Sequence, residues 1–400
     1  MSTLTPTETT LDLAAPSIPR LTGITAWISN TAQLISLKTE WRELAASLSP
    51  ANAFLSFEWM STWWQQFGKD AQLALITVRD SAGTLLGLAP FYISRQLGLR
   101  RLGFLADQHA GSDYLDILCV PGQEEAVVEE VARTVRAQRS RWDYIELKDT
   151  ADSETLRHFA WLMAEEGLHV NRAPASVCPY VSLPETFDAY TASISGQFRR
   201  DVNRRWRTLQ RDHAATFETF SSVDDIRLYF PELCRLHGLR FDSQNRDSAF
   251  LQPSALAFFS QSVEALAKAG VARMFILRAG PDVIAALLGF SVGKQFQYFQ
   301  LGLDPNWSRS GPGKVLLSLV IEAAIRNGHT DFDFLRGGES YKASWTSTSR
   351  ATFVWRFFDN CPASLAARAY FFARQTVSKM KHRWQNRAAT QTDLEQSPRQ

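Results

Sequence analysis

The chain has 400 residues, 45% of them hydrophobic and 12% aromatic, with 43 Lys and Arg against 41 Asp and Glu for a net charge of +2. That composition excludes disordered and collagen-like chains, and no apolar run reaches the roughly 18–20 residues of a membrane span. Val315 to Ile325, among the longest, is already interrupted by Ser318 and Glu322. Cys119, Cys178, Cys234 and Cys361 lie far apart without CxxC or metal-ligand spacing, so they read as reduced thiols of a cytoplasmic protein, with no metal expected. The length predicts two or three domains.

In chain order, residues 1–20 form a Thr/Ser/Pro-rich tail without the basic start and apolar core of a secretory signal. Trp41 to Leu48 and Glu58 to Phe67 read as helices, with Trp41, Trp59, Trp63 and Trp64 as core rather than ligand platform. Residues 72–94 read strand, glycine turn, strand, and residues 272–299 repeat the plan, each with Leu-Leu-Gly in its second strand (Gly87 and Gly289). In the first copy DYLDILCV (113–120) is then taken as a strand, followed by a helix from Gly122 and a strand from Asp143. In the second, FQYFQLGLD (296–304) leads to a helix from Gly313 and a strand from Asp331. The copies drift by 14 residues, which places an extra loop around Gln96 to Gly111 of copy one. Two mixed α/β domains follow, 21–180 and 186–360, with Pro174 to Pro184 as the linker and a basic helix and tail over 361–400.

The charge is unevenly spread. Residues 197–213 carry +4 from six arginines and two aspartates, and residues 366–387 carry +6 with no acid, leaving −8 for the rest. Arg200, Arg204, Arg207 and Arg211 fall on one helix face, either a solvated face or a seat for an oxyanion. In 366–387, Tyr370, Phe371, Phe372 and Trp384 alternate with the cations, a pattern suited to a membrane surface or an acidic partner. The loop DPNWSRSGPGKVLL (304–317) enters a helix through Gly311-Pro312-Gly313-Lys314, next to Arg309. Free N–H groups at a helix start, two glycines and two cations make it an anion site candidate, with a plain helix cap as the alternative. The equivalent helix start in copy one carries Glu124 and Glu125, which would repel a phosphate.

Strand, glycine turn, helix and strand in this order resemble the cofactor core of the GNAT acyltransferases. SDYLDIL (112–118), the Arg-rich helix, LCRLHGLR (233–240), SGPGKVLL (310–317) and DFDFLRGGESYKASW (331–345) together resemble the CelD-like GNAT acetyltransferases of bacterial cellulose and exopolysaccharide loci. The similarity runs over most of residues 30–358 and implies an α/β (α+β) fold of two tandem GNAT-like domains, similar to FemAB-type transferases, each a mixed central sheet flanked by helices. One departure stands out: the widespread GNAT loop has Gln or Arg three residues before its first glycine, where this chain has Ser308 and then Arg309.

The resemblance implies acetyl-CoA as acyl donor, held in the second copy by Arg309, Gly311, Gly313 and Lys314, with Leu301 and Leu303 along the pantetheine. It does not name the acceptor; direct transfer to a hydroxyl or amine of a saccharide or nucleotide-linked precursor in polysaccharide biosynthesis is the leading expectation. Such transfer needs a base, a carbonyl hydrogen bond and an acid for the leaving thiolate. Glu339 is the candidate base and Tyr341 the candidate acid, with His237 as a second base. Asp113, Arg199, Arg200, Arg240, Asp333, Arg336 and Lys342 are candidate acceptor ligands, although mixed charges after a strand equally form loop-fixing salt bridges. Two other readings stay open: a FemAB-like aminoacyl transferase using charged tRNA, and a non-catalytic scaffold of a membrane polysaccharide synthase docked through 366–387. The acidic body argues against an extended nucleic-acid footprint. The expected location is cytoplasmic, with peripheral attachment at the inner membrane through the basic tail.

Overall fold

The computed structural model describes residues 23–374. The tail 1–20 and the cations Lys379, Lys381, Arg383 and Arg387 of the basic segment, with Trp384, lie outside the described residues. The first half runs β1 (Ile24–Ile28), α1 (Thr31–Ser36), α2 (Lys38–Ser47), α3 (Phe57–Phe67), β2 (Gln72–Arg79), β3 (Leu85–Gln96), β4 (Leu99–Phe104), β5 (Leu118–Cys119), α4 (Glu124–Ala137), β6 (Tyr144–Thr150) and α5 (Glu154–Glu165). Strand β7 (His169–Ser182) leads into the second half. There follow α6 (Phe187–Ser193), α7 (Gly196–His213), β8 (Ala215–Phe220), α8 (Val223–Asp242), α9 (Pro253–Lys268), β9 (Ala272–Ala279), β10 (Asp282–Val292), β11 (Gln295–Leu303), α10 (Pro312–Arg326), β12 (Asp331–Asp333) and β13 (Ser349–Phe358).

The strands join in one mixed sheet in the order β1-β2-β3-β4-β6-β13-β7-β12-β11-β10-β9-β8, with β5 attached to β3. The duplicated plan is present in the topology. β2–β3 and β9–β10 are antiparallel hairpins, and β4–β6 and β11–β12 are parallel pairs joined through α4 and α10. Parallel neighbours need such a crossover. The apolar runs predicted as interior strands are interior: Leu73 to Ile76 and Met274 to Leu277 are buried.

Two sequence expectations are corrected. The third strand of copy one is β4, inside the segment taken as an extra loop, and of DYLDILCV only Leu118 and Cys119 form strand. The insertion is residues 105–117, where Ala106, His109 and Tyr114 adopt positive φ and curl the chain. Pro174 to Pro184 is not a linker: through Ser182 it belongs to β7, which pairs with β13 over its first part and with β12 at Tyr180–Ser182. β13 itself lies between β6 and β7.

The core crosses from one half to the other. Trp59 of α3 packs edge-on against Phe54, Phe258, Phe290 and Phe299 at 4.9–5.8 Å, and Trp41 and Trp63 are also buried. Beyond β13 the chain is helical over 362–374, where Ala367 and Phe371 pack on Tyr144 and Phe358. Among the described residues no helix is long and apolar enough to cross a membrane.

Candidate active site

β11 and β12 pair only over Gln295–Gln297 and Asp331–Asp333 and then part. Among the described residues, one edge of β11 is therefore left without a strand neighbour from Tyr298 to Leu303, while its other edge stays bonded to β10. At the end of this opening the chain turns through Gly311 into α10. Gly311 has φ +64°, the left-handed conformation glycine adopts without strain. The Lys314 amide bonds back to the Gly311 carbonyl and Pro312 has no N–H, so the Gly313 N–H is the amide left over at this helix start. A Cβ on Gly313 would come within 3.1 Å of Leu303, so glycine keeps the turn against β11.

A groove of about 350 Å³ lies here, lined by Leu301, Leu303, Gly311, Gly313, Lys314 and Arg240. Tyr341, Arg240, Gln244 and Leu301 are shared with an adjoining chamber of about 570 Å³ that also takes in His109, Asp113, His237 and Glu339. Of the candidates, Leu303, Gly311, Gly313 and Lys314 line the groove and Asp113, His237, Arg336, Glu339 and Lys342 the chamber, with Leu301, Tyr341 and Arg240 common to both; Arg199, Arg200, Arg309 and Asp333 line neither. The Tyr341 hydroxyl lies 3.1 Å from that of Tyr298, and burial pushes the Tyr341 phenol above its ordinary range, so it keeps its proton at neutral pH. Glu339 is half-exposed, with Oε2 at 2.9 Å from Lys342 Nζ.

The remaining candidates divide by what already holds them. Lys342 is buried, its ammonium wrapped by the carbonyls of Phe334, Leu335, Arg336 and Gly337 at 3.0–3.4 Å. Arg336 is saturated too: Nε donates to Asp113 at 2.8 Å, Nη1 lies 3.2 Å from Asp149, and Nη2 donates to the Ser112 carbonyl. Asp113 is fully buried, and burial outweighs Arg336 to push it up to about 6. Asp333 accepts from Tyr114, Arg350 and the Leu335 amide, and burial pushes it up to about 7. These three residues, with Lys342, join the two halves and fix the loop after β12. Arg240 is different. It has no carboxylate partner among the described residues and stands on the wall common to groove and chamber.

His237 is buried against Phe241, its Nε2 is 2.8 Å from Ser248 Oγ, and burial lowers it to about 4. It is neutral at physiological pH. On α7, Arg200, Arg204, Arg207 and Arg211 are exposed, and Arg199 donates to the Thr191 carbonyl. The arginine that reaches the glycine turn is Arg205, which donates to the Arg309 carbonyl at 2.7 Å and to Asp201. Lys314 Nζ lies 3.5 Å from the same Asp201. The Arg309 side chain is exposed. Sequence reading missed Tyr298, Arg205 and Tyr114. Tyr298 was signalled only by its place on the strand before the glycine loop; Arg205 and Tyr114 are brought in by contacts across more than a hundred residues.

Copy one has the same parting between β4 and β6, whose pairing covers only Arg101–Leu102 and Tyr144–Ile145. There the inserted segment closes it: the Leu115 amide donates to the Asp149 carbonyl, and the Ala151 amide donates to the Leu115 carbonyl.

Residues 196–343 match the family model described as "Acetyltransferase (GNAT) domain". No curated protein matches the chain by sequence. Among solved structures the fold is similar to FemX, at 11% identity and TM-score 0.58, covering 80% of this chain and 95% of that one. It is also similar to the C-terminal domain of a putative lysylphosphatidylglycerol synthetase from Agrobacterium fabrum (11% identity, TM-score 0.51, 85% and 96% covered). A conserved Bacteroides thetaiotaomicron protein of unknown function gives 11% identity and TM-score 0.52, with 85% and 100% covered. At such identities the likeness shows the fold.

Proposed function

We propose that the chain transfers an acyl group, acetyl in the simplest case, from an acyl-CoA thioester to a hydroxyl or amine of a saccharide or nucleotide-linked acceptor. The carrying observation is the open edge of β11 running from the glycine turn of α10 to a second chamber at Tyr341. The residues present fit the donor. The Gly313 amide and Lys314 line the place for its diphosphate, Arg205 holds the turn beside it through the Arg309 carbonyl, and Leu301 and Leu303 face the apolar arm. Arg240 has charge to spare for a phosphate at the groove wall.

In this reading the acceptor enters the chamber and its nucleophilic O or N attacks the thioester carbonyl carbon. Its proton passes to the Glu339 carboxylate, the C–S bond breaks, and Tyr341 protonates the departing thiolate. The high Tyr341 pKa favours a phenol that holds its proton until a thiolate forms. The closed parting in copy one supports a single donor site among the described residues. The acceptor class rests on the similarity to CelD-like proteins, and the described part of the basic segment, with the sequence beyond it, supports attachment to an anionic membrane or a polysaccharide synthase.

Calorimetry with CoA is expected to show binding that Gly313→Glu abolishes while melting stays cooperative; equal binding by the two would remove the groove as donor site. Acetyl-CoA consumption screened against sugars, nucleotide sugars and amines identifies the acceptor. With it, Glu339→Ala and Tyr341→Phe should each lower kcat about 100-fold with donor affinity retained, and unchanged turnover would dismiss the pair. An aminoacyl-tRNA donor is a second reading, favoured by the exposed arginine row of α7 beside the glycine turn. Salt-sensitive tRNA binding that weakens in Arg204→Ala/Arg207→Ala would select it.

A further inference from the structure

Helix α4 starts where the second half has its glycine turn, but its side chains carry the opposite charge. Glu125 and Glu129 stand one helical turn apart on α4, and His158 faces them from α5; one ligand atom from each lies within 4.8 Å of the other two. Neither carboxylate has a cation beside it among the described residues, whereas the neighbouring Glu130 holds Arg133 and the Thr25 hydroxyl. Like charges at this spacing repel and weaken a helix unless something neutralises them. The His158 ring is partly buried, and its Nε2 is shielded from solvent with no hydrogen-bond partner among the described residues, a state that costs free energy. The ring meets the exposed Trp161 edge-on at 5.8 Å, and one of its nitrogens lies within 4.8 Å of an oxygen of each carboxylate.

Three donors without other partners among the described residues converge from two packed helices, an arrangement that suits a cation. One imidazole and two carboxylates give a mixed N/O set of the number a tetrahedral ion takes before water completes it, which fits Zn²⁺. Mg²⁺ and Ca²⁺ take oxygen ligands and are poorly served by an imidazole nitrogen. Donors around tetrahedral zinc sit about 3.3 Å apart, a closure within reach of two surface glutamate side chains. We propose that Glu125, Glu129 and His158 bind one Zn²⁺ ion that clamps α4 to α5 over the first half of the sheet. The helix start that matches an anion site in copy two thus serves a cation in copy one.

The test uses the full chain, stripped with EDTA and titrated with ZnCl₂ alone by calorimetry and thermal melting. Wild type is expected to bind one zinc with Tm raised by about 3 °C or more. His158→Ala and Glu129→Gln are each expected to weaken binding at least about tenfold and to remove the shift, with metal-free melting no lower than wild type. Co²⁺ in place of zinc should give a visible d–d spectrum that both variants lack. No shift in wild type, the same zinc response in wild type and both variants, or an equal shift with Mg²⁺ overturns the assignment. Glu129 is a helix-surface position, so its variant keeps the test valid if His158→Ala fails to fold.

Discussion

Arg240, Arg336 and Lys342 look alike in sequence, three cations near a strand end, and they differ in what charge they have left to offer. Arg336 spends its guanidinium on Asp113 and Asp149, and Lys342 spends its ammonium on four carbonyls. Lys342→Met leaves those carbonyls without a donor in a buried place, so a loss of about 2–3 kcal/mol in unfolding free energy is expected by denaturant titration. Arg240→Ala should leave stability nearly unchanged and weaken CoA binding about tenfold, the effect of one lost charged contact. His237 gives a pH dependence with a definite sign. Its folded pKa of about 4 lies below the ordinary 6.5, so the folded state binds this proton less tightly. The stability it contributes is present above pH 6.5 and is lost as pH falls through about 4. His237→Gln, which retains a hydrogen-bonding group for Ser248, should lessen the drop in Tm between pH 7 and pH 4.5; an unchanged drop would assign the acid sensitivity elsewhere.

Helix α8 and strand β11 meet at Gly302, where a Cβ would lie 2.7 Å from Leu236 Cβ and 2.9 Å from the His237 amide nitrogen. Gly302→Ala has to push α8 off the strand, at a cost of about 1–3 kcal/mol. It should also weaken CoA binding, because the same displacement moves Arg240 and the groove wall. The start of α10 was legible in sequence because Gly-Pro-Gly acts locally, through positive φ at Gly311 and the missing N–H of Pro312. DYLDILCV was misread because its alternation reports burial and not strand. Leu115, Ile117 and Leu118 are buried, but Tyr114 at φ +58° breaks the extension and the apolar residues plug the parting of β4 and β6. Proline misled in the opposite direction. Pro174 and Pro179 suggested a linker, yet β7 has β13 on only one side over His169–Pro179, so the other edge needs no proline N–H.

The exchange of β13 decides how the halves depend on each other. Sequence periodicity distinguishes strand from helix, but not which sheet a strand joins, so a division into 21–180 and 186–360 looked natural. In the fold β13, from the end of the second segment, is hydrogen-bonded to β6 on one side and β7 on the other, with Trp355 and Phe357 in the core. In return, Tyr180–Ser182 of β7 supply the neighbour of β12 next to the candidate site. A fragment of residues 23–182 would expose the β6 edge and one whole side of β7, and one of 183–374 would leave an apolar β13 unpaired; both are conditions for aggregation rather than folding. Neither fragment is expected to show a cooperative thermal transition alone, while co-expression should return a soluble complex that melts like the intact chain. A cooperative melt from 23–182 by itself would show that β13 is an addition to a complete unit. Failure of both the separate fragments and the pair to fold would place the interdependence in the connection after Ser182 instead of the strand exchange.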